Sequence, residues 1–305
     1  MKNAVASWML VLAVLAVTAD VGAQQDAAQI TGTLKKVRDS DAVRLGYRQA
    51  SFPFSYLDGR GQPVGYSIDL CRKLVDALGE ELGFSEQKPL RVDWVPVTAA
   101  DRIDMIVHGG VDLECGSTTA NVTRQKQVAF SPIIFVAGTR LLVKRGSGIR
   151  SYRDLDGKSA AVTTGTTNEQ YMVKLVTDFK LRTTLTSVKD HDEGFAALQS
   201  GRVAAFITDD VLLYGLISRA RDGRQYLVVG ETLTYDPYAI VFRRGDPQLR
   251  ALVDKTFRQM AENGELTQNY HHWFLRKLPS GEQLNMPMSP QLKAIFEALT
   301  ATPSE

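Results

Sequence analysis

Short apolar runs alternate with amphipathic stretches through most of this chain, and that alternation constrains its fold more than any other feature. "AVRLGYR" (42–48) reads as a strand. After it, Cys71, Leu74, Val75, Leu78 and Leu82 recur at helical spacing. "RVDWVPV" (91–97) is again a strand, "DRIDMIVHGG" a short helix stopped by glycines, and "VDLEC" the next strand. "IIFVAGTRLLVKRG" follows, long, apolar and broken at Gly138. Then come strand "SAAVT", the helix opened by "TTGTTNE", helix "DEGFAALQSG", strand "RVAAFIT", helix "DDVLLYGLISRA" and strand "YAIVFRR". The pattern predicts an α/β protein, and 305 residues leave room for two domains.

One internal similarity bears on how those domains are built. "ADRIDMIVHGGVDLECGS" (100–117) lies over "DEGFAALQSGRVAAFITD" (192–209) residue for residue, as helix, glycine, strand and a terminal polar group. Ser117 falls on Asp209. Two lobes built alike would each present a polar group beyond a strand's carboxyl end, where open α/β sheets bind ligands.

Residues 1–23 have the pattern of a cleaved secretory signal. Lys2 supplies the positive start, Trp8–Val17 is unbroken apolar sequence, and Val21-Gly22-Ala23 offers small side chains for cleavage. The mature chain is expected to begin near Gln24 and to be exported to the periplasm, because the apolar run is too short to span a bilayer comfortably. With 44% hydrophobic and 23% charged residues the chain is globular, and a net charge of +2 leaves no basic footprint for nucleic acid. Cys71 and Cys115 are the only cysteines, and in an oxidising compartment such a pair is expected to form a disulfide. Two separate buried thiols are the alternative.

The polar clusters each have two readings. "ECGSTTANVTRQK" (114–126) sets hydroxyls and Arg124 just past a buried strand, which makes either a carboxylate receptor or a capped, solvated helix. "TTGTTNE" (163–169) offers backbone N–H groups and the hydroxyls of Thr166 and Thr167 to an anion, or a plain Thr N-cap. In "KDHDE" (189–193), His191 is a candidate base, metal ligand or pH-sensitive anion donor, while Asp190 or Asp192 suits an N-cap. His108, His271 and His272 have no ligand spacing to match it, so neither a metal nor a cofactor is expected. Asp209, at the end of "ITDD", is a natural partner for an ammonium or the cap of the next helix. Arg48 and Arg102 read by pattern alone as surface arginines.

Taken in order, "RQASFPFSYLD", "GYSIDLC", "ECGSTTANVTRQK", "FVAGTRLLVKRG", "TTGTTNE", "KDH", "ITDD" and "FRRGDP" resemble the periplasmic glutamate/aspartate-binding proteins of bacterial ABC importers, in solute-binding protein family 3. The resemblance implies a type II, Venus-flytrap fold of two lobes with a hinge of two crossing segments. Lobe 1 would comprise residues 24–136 plus 236–305 and lobe 2 residues 138–234. It assigns Arg124 to the ligand's α-carboxylate with Ser117, Thr119 and Thr166, and Asp209 to the α-ammonium. Arg48, Arg102 and His191 match positions that hold a side-chain carboxylate. It also implies a non-enzymatic monomer that delivers glutamate or aspartate to an ABC permease. The other reading of the scaffold is a periplasmic small-acid dehydratase of the cyclohexadienyl dehydratase kind, with His191 or Asp190 as proton donor. The chain departs from the pattern at Ala99 and Asn168, where relatives carry serine, and at Tyr47, where histidine is common. The arginines and Asp209 leave an excess of positive charge, which a dicarboxylic amino acid would balance.

Overall fold

Two five-stranded sheets, each flanked by helices, organise the chain. The computed structural model describes residues 29–301, so the predicted signal over residues 1–23 lies outside the described residues. In the first sheet the strands run in the order Arg91–Pro96, Ala42–Tyr47, Leu113–Glu114, Val241–Arg243, Val128–Phe130. The second runs Thr184–Val188, Ser159–Thr163, Ala205–Asp209, Thr139–Lys144, Tyr226–Val229. Both follow one plan. Ala42–Tyr47 in the first and Ser159–Thr163 in the second pair in parallel on either side with two later strands, and the strand Leu113–Glu114 or Ala205–Asp209 then pairs with an antiparallel strand that enters out of sequence. Residues 100–117 and 192–209 supply the same helix and central strand to each sheet. Among the described residues no helix is long and apolar enough to cross a membrane.

Side-chain alternation builds the core of the second sheet. Leu141, Val143, Val162 and Ile207 face one layer with Met172 and Leu175. Their neighbours Leu142, Ala161 and Phe206 face the other with Leu198, Leu213 and Leu216. A sheet buried on both faces needs such near-continuous apolar strands. In the first sheet Val97, Ile106, Val111, Phe130 and Val241 pack together. The Cys71–Cys115 disulfide ties helix Tyr66–Glu81 to the end of strand Leu113–Glu114. Closing that loop stabilises the fold by roughly 2–4 kcal/mol.

Two chain segments join the sheets. Phe135–Ala137 and Asp236–Tyr238 pair antiparallel, and each continues into or returns from the second sheet. "YAIVFRR" is therefore not one strand. Asp236–Tyr238 belongs to this crossing ribbon and Val241–Arg243 to the first sheet. Gly138 permits the crossing, because a Cβ there would lie 2.5 Å from the Thr234 carbonyl oxygen. Behind the ribbon Phe54, Phe135, Tyr238 and Phe274 form a packed aromatic cluster, with Phe54 5.0 Å from Tyr238 and Phe135 4.9 Å from Phe274. Two strands lack sequence signals clear enough to predict: Thr184–Val188, whose side chains are half exposed, and the short Tyr226–Val229.

Candidate ligand-binding site

All eight residues singled out by sequence are buried, none more than 8% exposed. That excludes the surface reading of Arg48 and Arg102. Arg48 follows strand Ala42–Tyr47, Arg102 opens helix Arg102–Val107, and Ser117 and Thr119 follow strand Leu113–Glu114. Thr166 caps helix Thr167–Asp178, His191 opens helix His191–Gln199, and Asp209 ends strand Ala205–Asp209. These seven line one narrow cleft, together with Thr167, Asn168, Thr208 and Leu212. The cleft lies between the two sheets at their strands' carboxyl ends.

Arg124 is not on that lining. Asn121 caps the short helix that carries it, and its guanidinium donates to the Thr119 carbonyl at 3.0 Å and the Gly165 carbonyl at 3.3 Å. Of the readings of "ECGSTTANVTRQK", the cap is present, but the arginine it positions is buried, so the solvated face does not hold for Arg124. Burial first, and Arg102 second, pull the Arg124 guanidinium down to about 9. The same two causes pull Arg48 down to about 10. Burial also lowers Arg102, whose Nε has no hydrogen-bond partner. No protein carboxylate stands within 4.0 Å of any of the three guanidiniums among the described residues.

Asp209 does not cap its helix. No N–H of helix Asp210–Arg219 reaches its side chain. Its carboxylate accepts instead from Asn168 Nδ2 at 2.8 Å and from the Tyr238 hydroxyl. Burial, reinforced by nearby Asp236, pushes it up to about 7. His191 is also unlike its sequence reading. Asp190 caps its helix by accepting from Glu193 N at 2.9 Å. The Ala50 carbonyl 3.0 Å from His191 Nδ1 can only accept, so Nδ1 carries a proton. Burial, then Arg48, drives the ring down to about 3, which leaves it neutral with Nε2 an acceptor. It is not a pH-sensitive anion donor near neutrality.

Two buried carboxylates near the cleft went unread in the sequence. Glu114 is fully buried and accepts from Thr118 Oγ1 at 2.7 Å, while its other oxygen has no partner. Asp236, buried on the crossing ribbon, accepts from Thr119 and Thr167 at 3.3 and 3.2 Å and from Thr234. These two carboxylates offset the positive excess counted from the arginines and Asp209 alone. Net charge by itself therefore does not demand a dianionic ligand.

The two sheets, the crossing ribbon and the cleft at their strand ends define a two-lobe, type II periplasmic binding protein. Residues 43–276 match the bacterial extracellular solute-binding proteins, family 3, and the chain belongs to that family. It is 42% identical over 281 residues to an L-glutamate/L-aspartate-binding protein of Pseudomonas aeruginosa, covering 92% of each chain. It is 39% identical over 286 residues to a glutamate/aspartate import solute-binding protein of Escherichia coli, covering 93% of each. Among solved structures it is similar to the ancestral amino acid-binding protein AncCDT-1, a precursor of cyclohexadienyl dehydratase. That match has a TM-score of 0.67 and 28% identity, over 79% of this chain and 99% of the other.

Proposed function

We propose that this solute-binding protein captures L-glutamate or L-aspartate in the periplasm by closing its lobes, residues 24–136 plus 236–305 against 138–234, and presents it as a monomer to an ABC permease. The observation that carries the reading is a cleft lined by two buried guanidiniums, Arg48 and Arg102, opposite a buried Asp209, with a third, Arg124, buried against the Thr119 carbonyl, none of the three paired with a protein carboxylate. Buried guanidiniums without anions are unfavourable, and a ligand with two carboxylates and an ammonium supplies what each lacks. In this reading Arg124, Ser117, Thr119 and Thr166 hold the α-carboxylate, Asp209 the ammonium, and Arg48 and Arg102 the side-chain carboxylate. His191 contributes to that carboxylate only when protonated, and otherwise packs beside it. The names of the relatives agree with this choice.

The dehydratase reading needs a proton donor near the ligand. Asp190 is spent on its helix cap and the His191 ring holds its single proton on Ala50, so neither donor named for that reading is free. With Asp209 taken up by the ligand's ammonium, we infer that the protein is not an enzyme. The mutational test separates the two carboxylate sites. Arg124→Ala should weaken every amino acid by about a hundredfold or more, as expected for breaking a buried charge pair. Arg48→Ala and Arg102→Ala should weaken glutamate and aspartate far more than glutamine. Equal losses for all ligands in all three variants would show the roles to be wrong.

A further inference from the structure

Asp209 occupies the N-cap position of helix Asp210–Arg219, where an aspartate ordinarily turns back to accept from its own helix. Something holds it away. Asn168, 2% exposed, is the second residue of helix Thr167–Asp178 and faces the register pair Asp209 and Thr139 of the neighbouring strands. Its Nδ2 gives one hydrogen to Asp209 Oδ1 at 2.8 Å and the other to Thr139 Oγ1 at 2.7 Å. Its Oδ1 accepts from Thr208 Oγ1 at 3.4 Å. Both donors and one of the two acceptor lone pairs of the amide are engaged, so the arrangement fixes a single side-chain orientation. A serine in this place has one hydroxyl proton and cannot donate to both partners.

Asn168, Asp209, Thr139 and Thr208 all belong to the second sheet and the helix packed on it. Tyr238, the other donor to Asp209, stands on the crossing ribbon. Lobe movement can separate Asp209 from Tyr238, but not from Asn168. Resting on the ammonium reading of Asp209, we propose that Asn168 is a positioning residue that presents the Asp209 carboxylate to the ligand's ammonium before the lobes close. Each Asp209 oxygen then keeps a lone pair for the ligand while its outer side is already satisfied. The charged groups that face Asp209 are Asp236, Asp210, Arg102 and Arg124, with Tyr238 beside it. Within that set Asn168 is a neutral donor that favours the ionised carboxylate. Removing it raises the proton affinity of Asp209 further, so the loss in binding should be largest at low pH and shrink as pH rises.

The test is calorimetric titration of the stripped full chain with L-glutamate between pH 6 and 9, for the wild type, Asn168→Ser, Asn168→Asp and Asp209→Asn. Asn168→Ser should bind about tenfold more weakly at pH 7 and recover most of that by pH 9, the size expected for one hydrogen bond to a charged group. Asn168→Asp, of the same shape but with the donor replaced by a second acid, should lose more at pH 7. Asn168→Asp should melt lower than the wild type, because it buries a second carboxylate beside Asp209, so the pH profile of Asn168→Ser is the readout that a merely structural role would not move. Wild-type affinity in Asn168→Ser, or a loss that is equal at every pH, overturns the positioning role. If Asp209→Asn binds as well as the wild type, the ammonium reading fails and this inference with it.

Discussion

His191 shows how a residue's surroundings decide its chemistry. Its sequence neighbours are aspartates, which would raise an imidazole; its neighbours in space are Arg48, Arg102 and a backbone carbonyl. The folded ring titrates near 3 and the unfolded one near 6.5, so the unfolded chain takes up a proton that the native state refuses. The stability tied to this group is fully present above pH 6.5 and is lost as pH falls toward 3, by up to about 1.4 kcal/mol per unit. His191→Gln, which can still donate to the Ala50 carbonyl, should therefore show a shallower fall in Tm between pH 6.5 and 4 than the wild type. Asp209, which is raised and has the opposite sign, is common to both proteins. Identical slopes would mean that His191 is not held neutral. At this scale part of the cleft was legible: the hydroxyls of Ser117, Thr119 and Thr166 and the Asp209 carboxylate stood out at strand ends, whereas Arg48 and Arg102 read by pattern as surface residues and only the family resemblance drew them inward. Glu114, Asp236 and Tyr238 did not, because nothing local distinguishes a buried acid or a hydroxyl aimed across the hinge from an ordinary one.

Elements from the two sheets meet at points away from the ligand cleft. Arg219 ends helix Asp210–Arg219 and lies 5.5 Å from the ring centroids of both Phe52 and Tyr56, which belong to the hairpin after Arg48. Its Nε is 3.9 Å from Glu282 in the carboxyl-terminal segment. On the other side Gly165, at φ +78°, passes so close to Ala100 that a Cβ would come within 2.5 Å of its Cα. Arg219→Ala should lower glutamate affinity by about two- to fivefold, through faster dissociation and with ligand preference unchanged, as expected for losing a surface cation–π contact. Stopped-flow release reads this directly; an unchanged off-rate would show that the contact does not hold the lobes together. The long elements were readable because their apolar periodicity is dictated by burial on both faces. The crossing was implied by the family resemblance, but the break within "YAIVFRR" was not readable from periodicity, because Tyr238, Ala239, Ile240 and Val241 are all fully buried although they leave the ribbon and enter the first sheet.

The whole molecule repeats one sheet plan twice and opens both copies toward a common cleft, lined by residues that lie as far apart in sequence as Arg48 and Asp209. The internal match of residues 100–117 to 192–209 foretold that plan, because each copy needs the same helix, glycine and central strand to set a polar group at the strand's end. What the chain order did not foretell is the charge balance of the closed cleft, where Glu114 and Asp236 offset arginines that look unopposed in the sequence. Specificity then rests on where each charge sits, not on their sum. Calorimetry on the protein stripped of bound ligand, titrated in turn with L-glutamate, L-aspartate and L-glutamine, tests this most directly. Saturable one-to-one binding of at least one of the two acids is expected, with glutamine weaker by about tenfold or more, the cost of leaving a buried guanidinium unpaired. No heat with either acid, or glutamine bound as tightly as both, would contradict it.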